Sequence, residues 1–268
     1  MKYLLPIFIF LTVSLSASRF FDQFEDLKSR DWHAICALGE KDLEDESLTD
    51  LEKAQICARL ASSYFYLGEY ESMKGYIEAC RSIALDHSSK KYFIRSLYLL
   101  SAYYRGSSLF KEAREVIDEA MELLGSDVED YLKAKVYFNA GAAYADDPSG
   151  DPLKAIEYYQ KALTLLDRSS NDAHRVQIRM AKSHLLLKQH KKAWEALLPL
   201  FQVDLQPRTS VHLQYICAQI YIAEGDFEAA LVEINEALSG AEELSMAADG
   251  ERLNKLKSQI FDFKLVIK

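Results

Sequence analysis

No stretch of this sequence alternates apolar and polar residues between turn dipeptides for any distance, so nothing in it asks for a sheet. Motifs that carry catalysis are missing as well: there is no G-x-x-x-x-G-K-S/T phosphate loop, no H-E-x-x-H, no G-x-S-x-G and no dinucleotide-binding glycine pattern. The six histidines are scattered, and no two stand four apart, where one helical face would offer both to a metal. Cys36, Cys57, Cys80 and Cys217 fit no zinc spacing and no C-x-x-C pair. Positive charge is short too: 32 Lys and Arg face 41 Asp and Glu, a formal net charge of −9 that argues against a general nucleic-acid binder. The segment Asp146-Asp147-Pro148-Ser149-Gly150-Asp151 lacks the ligand alternation and closing glutamate of a calcium loop and reads as a solvated insertion. No catalytic residue, metal or cofactor is therefore expected.

At the N-terminus, MKYLLPIFIFLTVSLSAS (1–18) joins one positive charge at Lys2 to an apolar run from Leu4 to Val13, broken only by Pro6 and Thr12, and then to a cluster of small residues. This is the pattern of a secretory signal, with cleavage expected after Ser16 or Ser18. Its ten to twelve apolar residues fall short of a membrane span, which needs roughly 20. No cysteine stands after the run to take a lipid. The expected product is exported, to the periplasm or cell envelope or to the medium, with no stable membrane span after cleavage. In that setting Cys57 and Cys80, on paired helices, are candidates for a bridge; the alternative is that each packs as a small buried residue.

Phe20, Phe21, Phe24 and Leu27, then Trp32, Ile35 and Leu38, fall at helical spacing. They predict a degenerate first hairpin over 19–47 that covers the apolar edge of a repeat array. Residues 48–243 repeat one pattern about five times. A small residue (Ala61, Ser101, Gly141, Ala181, Ala218) is followed three on by Tyr64, Tyr104, Tyr144, His184 or Tyr221, the last column running at spacings of 40, 40, 40 and 37. A turn comes next, then a second set led by Met73, Ala113, Ala155, Ala193 and Ala230. Two antiparallel helices approach closely only where a small residue on one meets a side chain of the other, which gives the pattern its physical sense. Asp50 and Asp172 read as caps of first helices, and Pro152 and Pro207 as helix starts. Leu253, Leu256, Ile260, Phe263 and Ile267 share one face of a capping helix over 244–268, and Phe261 and Leu265 fall off that stripe, leaving a homo-oligomeric contact open.

This order, clearest in AQIYIAEGDFEAALVEINEA (218–237), resembles the tetratricopeptide repeat (TPR) family. The resemblance implies an all-α protein, a right-handed superhelical α-solenoid of antiparallel helix pairs, with the first helices on the concave side. The repeat length exceeds the roughly 34 residues usual for the family, which implies longer helices or turns.

Charge is divided unevenly between the helices. The first helix of the second repeat holds Lys90, Lys91, Arg95 and Arg105 and no acid, whereas 224–243 carries seven acids and no base. Six residues before each small residue stands the column Gln55, Arg95, Lys135, Arg175 and His212, and the next turn carries Tyr98, Phe138 and Tyr215. The family resemblance places these on or near the concave wall, together with Arg59, Arg105, Asn139, Arg179 and Lys182. The basic and asparagine residues among them (Arg95, Lys135, Asn139, Arg175, Arg179) are those that match the positions by which carboxylate-gripping members hold a chain end, although no complete clamp motif is present. The expected function is a non-enzymatic scaffold or adaptor, acting after export, that binds an extended peptide or partner protein bearing acidic residues or a free carboxylate. Internal pairing of these bases with acids on neighbouring helices is the competing reading. A secreted chaperone-like or virulence-related factor, and an accessory subunit of an envelope enzyme or assembly complex, also stay open.

Overall fold

A computed structural model of the chain describes residues 31–266, with the side chains of 31–262. The expected signal (1–18) and the first part of the expected N-terminal hairpin (19–30) lie outside the described residues. Twelve α-helices make up the described chain: α1 (Trp32–Leu43), α2 (Asp50–Leu67), α3 (Tyr70–Asp86), α4 (Lys90–Gly106), α5 (Phe110–Glu122), α6 (Asp130–Ala145), α7 (Pro152–Leu165), α8 (Asn171–Leu186), α9 (His190–Leu197), α10 (Pro207–Glu224), α11 (Phe227–Glu243) and α12 (Ala247–Val266). No strand occurs among the described residues. The helices pack as antiparallel pairs, α2 on α3 through α10 on α11, and each even-numbered helix from α2 to α8 also packs on the next even-numbered one. The chain is an α-solenoid whose first helices stand side by side along one wall.

The pairs form where the small column predicts close approach. Ala61, Ser101, Ala181 and Ala218 are fully buried. Ser101 satisfies its hydroxyl by donating to the Ala113 carbonyl across the pair at 2.8 Å. At Gly141 the partner is the buried ring of Tyr159, whose Cε1 would stand 2.6 Å from a Cβ added there. The aromatic column has a second, backbone role. The carbonyls of Tyr64, Tyr104, His184 and Tyr221 each accept the amide five residues on, from Glu69, Leu109, Gln189 and Asp226, at 2.8–3.0 Å. This six-to-one bond closes a Schellman turn around a left-handed residue: Gly68 (φ 76°), Ser108 (φ 60°), Lys188 (φ 57°) and Gly225 (φ 83°).

Several expectations are corrected. Asp50 and Asp172 do not cap their helices: Thr49 caps α2 in a reciprocal capping box with Glu52, and Ser170 caps α8. Each aspartate sits inside the first turn, where its charge still favours the helix end. All four cysteines are free and buried, with no Cys57–Cys80 bridge. Burial pushes the thiols of Cys36, Cys80 and Cys217 up to about 12 and that of Cys57 up to about 11, so they behave as small apolar side chains. The 146–151 segment is not simply solvated: Asp147, its side chain only 7% exposed, pairs with Arg114 of α5, and Asp146 turns inward. His184 is half-buried and hydrogen-bonded to Gln189 at 2.9 Å. The second helix of the fourth pair ends early, because Pro199 cannot donate to the ladder, and gives way to a 3₁₀ turn over Leu198–Gln202. At the C-terminal end Leu253, Leu256 and Ile260 pack on α11 while Phe261 is exposed; Phe263 and the side chains beyond it lie outside the described residues. Among the described residues no helix is long and apolar enough to cross a membrane.

Candidate functional site

The wall formed by the first helices encloses two adjoining cavities, of about 440 and 490 Å³. Arg59 of α2, Arg95 and Tyr98 of α4, and Lys135, Phe138 and Asn139 of α6 line the N-terminal cavity. Lys182 of α8 and Tyr215 of α10 line the C-terminal one. Arg105, Arg175 and Arg179 border both. All eleven sequence-predicted residues therefore face one lumen. Lys90 and Lys91 do not line it; they pair with Asp127 and Glu129 in the turn before α6, at 2.8 and 2.9 Å.

Internal pairing does occur, and three aspartates carry it. Asp146, which closes α6, accepts from Arg105 at 2.8 Å, Arg179 at 2.9 Å and Lys182 at 3.2 Å. Burial alone would raise its carboxyl, but Arg179, Lys182 and Arg105 together hold it well below the usual carboxylate range. Asp172 meets Lys135 at 2.6 Å and Arg175 at 3.5 Å, and accepts from the Tyr131 hydroxyl at 3.1 Å. Burial again opposes ionisation there, yet Lys135 and Arg175 bring its pKa down to about 2. Asp249, in the first turn of α12, lies 3.4 Å from Arg252, 3.6 Å from Arg208 and 3.7 Å from His212.

The balance is uneven. Among the described residues nine Lys and Arg side chains line the two cavities against these three Asp, an excess of six positive charges inside a chain of net charge −9. Each aspartate is shared by two or three cations, so pairing organises the bases without neutralising them. Arg95 has no described carboxylate within 4 Å; its guanidinium lies 5.6 Å from the centre of the Tyr92 ring, and its buried Nε has no hydrogen-bond partner among the described residues. By contrast Arg105 and Asn139 are engaged with each other: Arg105 donates to the Asn139 carbonyl oxygen at 2.9 Å, and the Asn139 amide donates to the Lys135 carbonyl. With the Arg105 side chain only 5% exposed, these two form the floor of the lumen more than its reaching surface.

Several lining residues were not anticipated from sequence. Tyr66, near the end of α2, stacks on Trp32 of α1 with ring centres 4.6 Å apart. Across the lumen Arg208 of α10 lies 4.7 Å from the Tyr66 ring centre and Arg175 lies 5.4 Å from it. Tyr66, Phe65, Phe138, Arg175 and Arg208 border both cavities, so this cluster marks where the two meet. Arg208, Asp249 and Arg252 stand outside the repeating columns, and Tyr66 lies two residues past the conspicuous tyrosine. Periodicity therefore pointed to none of them.

Known proteins give the same fold. Residues 54–87 and 134–165 match the sequence profile of the tetratricopeptide repeat. No curated protein sequence matches the chain. A Rap protein solved in complex with competence and sporulation factor aligns over 92% of this chain and 74% of its own, with a TM-score of 0.65 and 13% identity. The apo form of RapI aligns over 86% and 98%, with a TM-score of 0.56 and 11% identity. Two segments of the chain thus match the tetratricopeptide repeat, and the described helices stack into a solenoid of the same architecture as these proteins.

Proposed function

We propose that this chain is a non-enzymatic binding scaffold that, after export, holds an acidic segment or chain end of a protein partner inside its lumen. The observation that carries the reading is the excess of six cations over carboxylates on the lumen wall of an acidic protein. Such a wall attracts anionic guests over a Debye length. Arg95 and Arg175 supply planar donors for carboxylates, and Tyr98, Phe138 and Tyr215 supply ring faces for apolar side chains. Helices about 8 to 10 Å apart and an extended guest advancing about 3.3 Å per residue would bring every third residue to a new rung. That a protein of this fold was solved with competence and sporulation factor supports reading the solenoid as a receptor.

Calorimetry tests it. Hexaglutamate should bind the folded chain at low salt, hexalysine should not, and Arg95→Glu should weaken the hexaglutamate complex by at least tenfold with unchanged helicity. Equal affinity for both peptides would remove the lumen from the account. For export, fractionation of the native host should place the protein outside the cytoplasm, and a cytoplasmic pool of full-length chain would overturn that part.

A further inference from the structure

The two cavities are divided by a side chain of the protein itself. Tyr66 reaches from α2 to the opposite wall, with Trp32 stacked on it and the guanidiniums of Arg175 and Arg208 at its ring. Arg208 also lies 5.7 Å from the Trp32 ring centre and donates to the Tyr66 carbonyl at 3.4 Å. The helices bearing these groups are not packed together: extensive helix contacts join only elements near one another along the chain, so the crossing is made by long side chains. Its Arg208 Nε is buried and has no hydrogen-bond partner among the described residues.

We infer that Tyr66 is a displaceable crossbar, and that an acidic guest enters the full lumen by taking Arg175 and Arg208 away from its ring. This rests on the reading of the lumen as an acidic-segment receptor and adds how that site discriminates. A guanidinium over a ring is held by the ring quadrupole; a carboxylate offers it a charge-assisted, bidentate pair, which is stronger. A guest with carboxylates therefore outcompetes Tyr66, and an apolar or basic guest does not. Length matters in the same way. A guest confined to one cavity leaves the crossbar in place, while an extended one long enough to touch both Arg95 and Tyr215 must move it.

Trp32 reports the movement directly. The chain has two tryptophans, and Trp194, its ring centre 5.0 Å from that of Tyr221 on another part of the solenoid, is removed by Trp194→Phe. In that background hexaglutamate should raise acrylamide quenching of Trp32 at least twofold in proportion to occupancy. Tyr66→Ala should bind hexaglutamate roughly tenfold more tightly, the scale expected for two part-buried cation–ring contacts, and should start with Trp32 already quenchable. Tyr66→Phe keeps the ring and should match the wild type in both measures. Equal affinity of Tyr66→Ala and wild type, with both binding, overturns the crossbar and leaves the receptor reading standing. Failure of both folded proteins to bind overturns the two together.

Discussion

The Arg208 guanidinium, 4.7 Å from the centre of the Tyr66 ring, joins the second helix of the described chain to the tenth across 142 residues of sequence. A solenoid in which each pair touches only its neighbours has no packing reason to hold its ends at a fixed distance. Here side chains set that distance, and the lumen is crossed where an open groove would be empty.

Arg208→Ala therefore separates shape from stability. Removing a part-buried cation from two rings costs about 1 kcal/mol, and in a chain of this size about 2–4 °C of Tm. Small-angle scattering should show a larger maximum dimension than the wild type, because the clasp and not the core is lost. A much larger drop in Tm with unchanged dimensions would make Arg208 an ordinary core residue.

Legibility of the sequence tracks the range of the interactions involved. The small and aromatic columns are local: Ala61 and Tyr64 sit three apart on one helix, and their burial and turn geometry result from that spacing. The bases on the wall were equally readable, since Arg95, Lys135 and Arg175 take the same place in the three central repeats, between Gln55 and His212 in the outer two. Asp146 was misread because its partners, Arg105 and Arg179, come from helices before and after its own. Only the stacking of the helices brings them together. The same holds for Tyr66 and Arg208, which no repeat period connects. The cap of α2 was missed by one residue, since Thr49 and Asp50 are both plausible caps and only the reciprocal bond from Glu52 selects the threonine.

Asp146→Asn tests the cluster. The neutral amide leaves Arg105, Arg179 and Lys182 facing one another without their common carboxylate, around a position only 20% exposed. Breaking a buried pair in this way costs about 3–5 kcal/mol, and chemical denaturation should show the loss. Asp127→Asn, which removes an exposed partner of Lys90, should leave the denaturation curve where it was.

Acid should unfold the protein in two stages. Burial depresses the pKa of His212 below its ordinary 6.5 even with Asp249 beside it, and Arg208 and Arg175 add to the effect; burial likewise depresses that of His174. The unfolded chain therefore takes up these protons first, so stability falls as pH drops from 6.5 toward the lower folded values. Asp172, at about 2 in the folded protein against 3.8, and Asp146, also lowered, contribute stability that is present above 3.8 and lost as pH falls through the folded values. Thermal melts from pH 7.5 to 2.5 should show both stages, and His174→Gln with His212→Gln should flatten the first alone. A melting temperature that rises between pH 6.5 and 5 would contradict the burial of these imidazoles.

Two glycines in helices should respond to alanine with opposite signs. At Gly75, exposed on α3, an added Cβ meets nothing within 4 Å. Gly75→Ala should stabilise by about 0.5–1 kcal/mol through helix propensity. At Gly141 the same methyl would stand 2.6 and 2.7 Å from Cε1 and Cδ1 of Tyr159, a residue with no exposed surface. Overpacking of that kind costs about 1–3 kcal/mol and outweighs the propensity gain. The cause is a single ring, so Tyr159→Leu in the same chain should recover part of the loss. In a double-mutant cycle the two substitutions should couple favourably by about 0.5 kcal/mol or more. Additive losses would mean that the methyl strains the approach of α6 to α7 as a whole, and the small column would then set the spacing of helices through the backbone and not through the side chain each small residue admits.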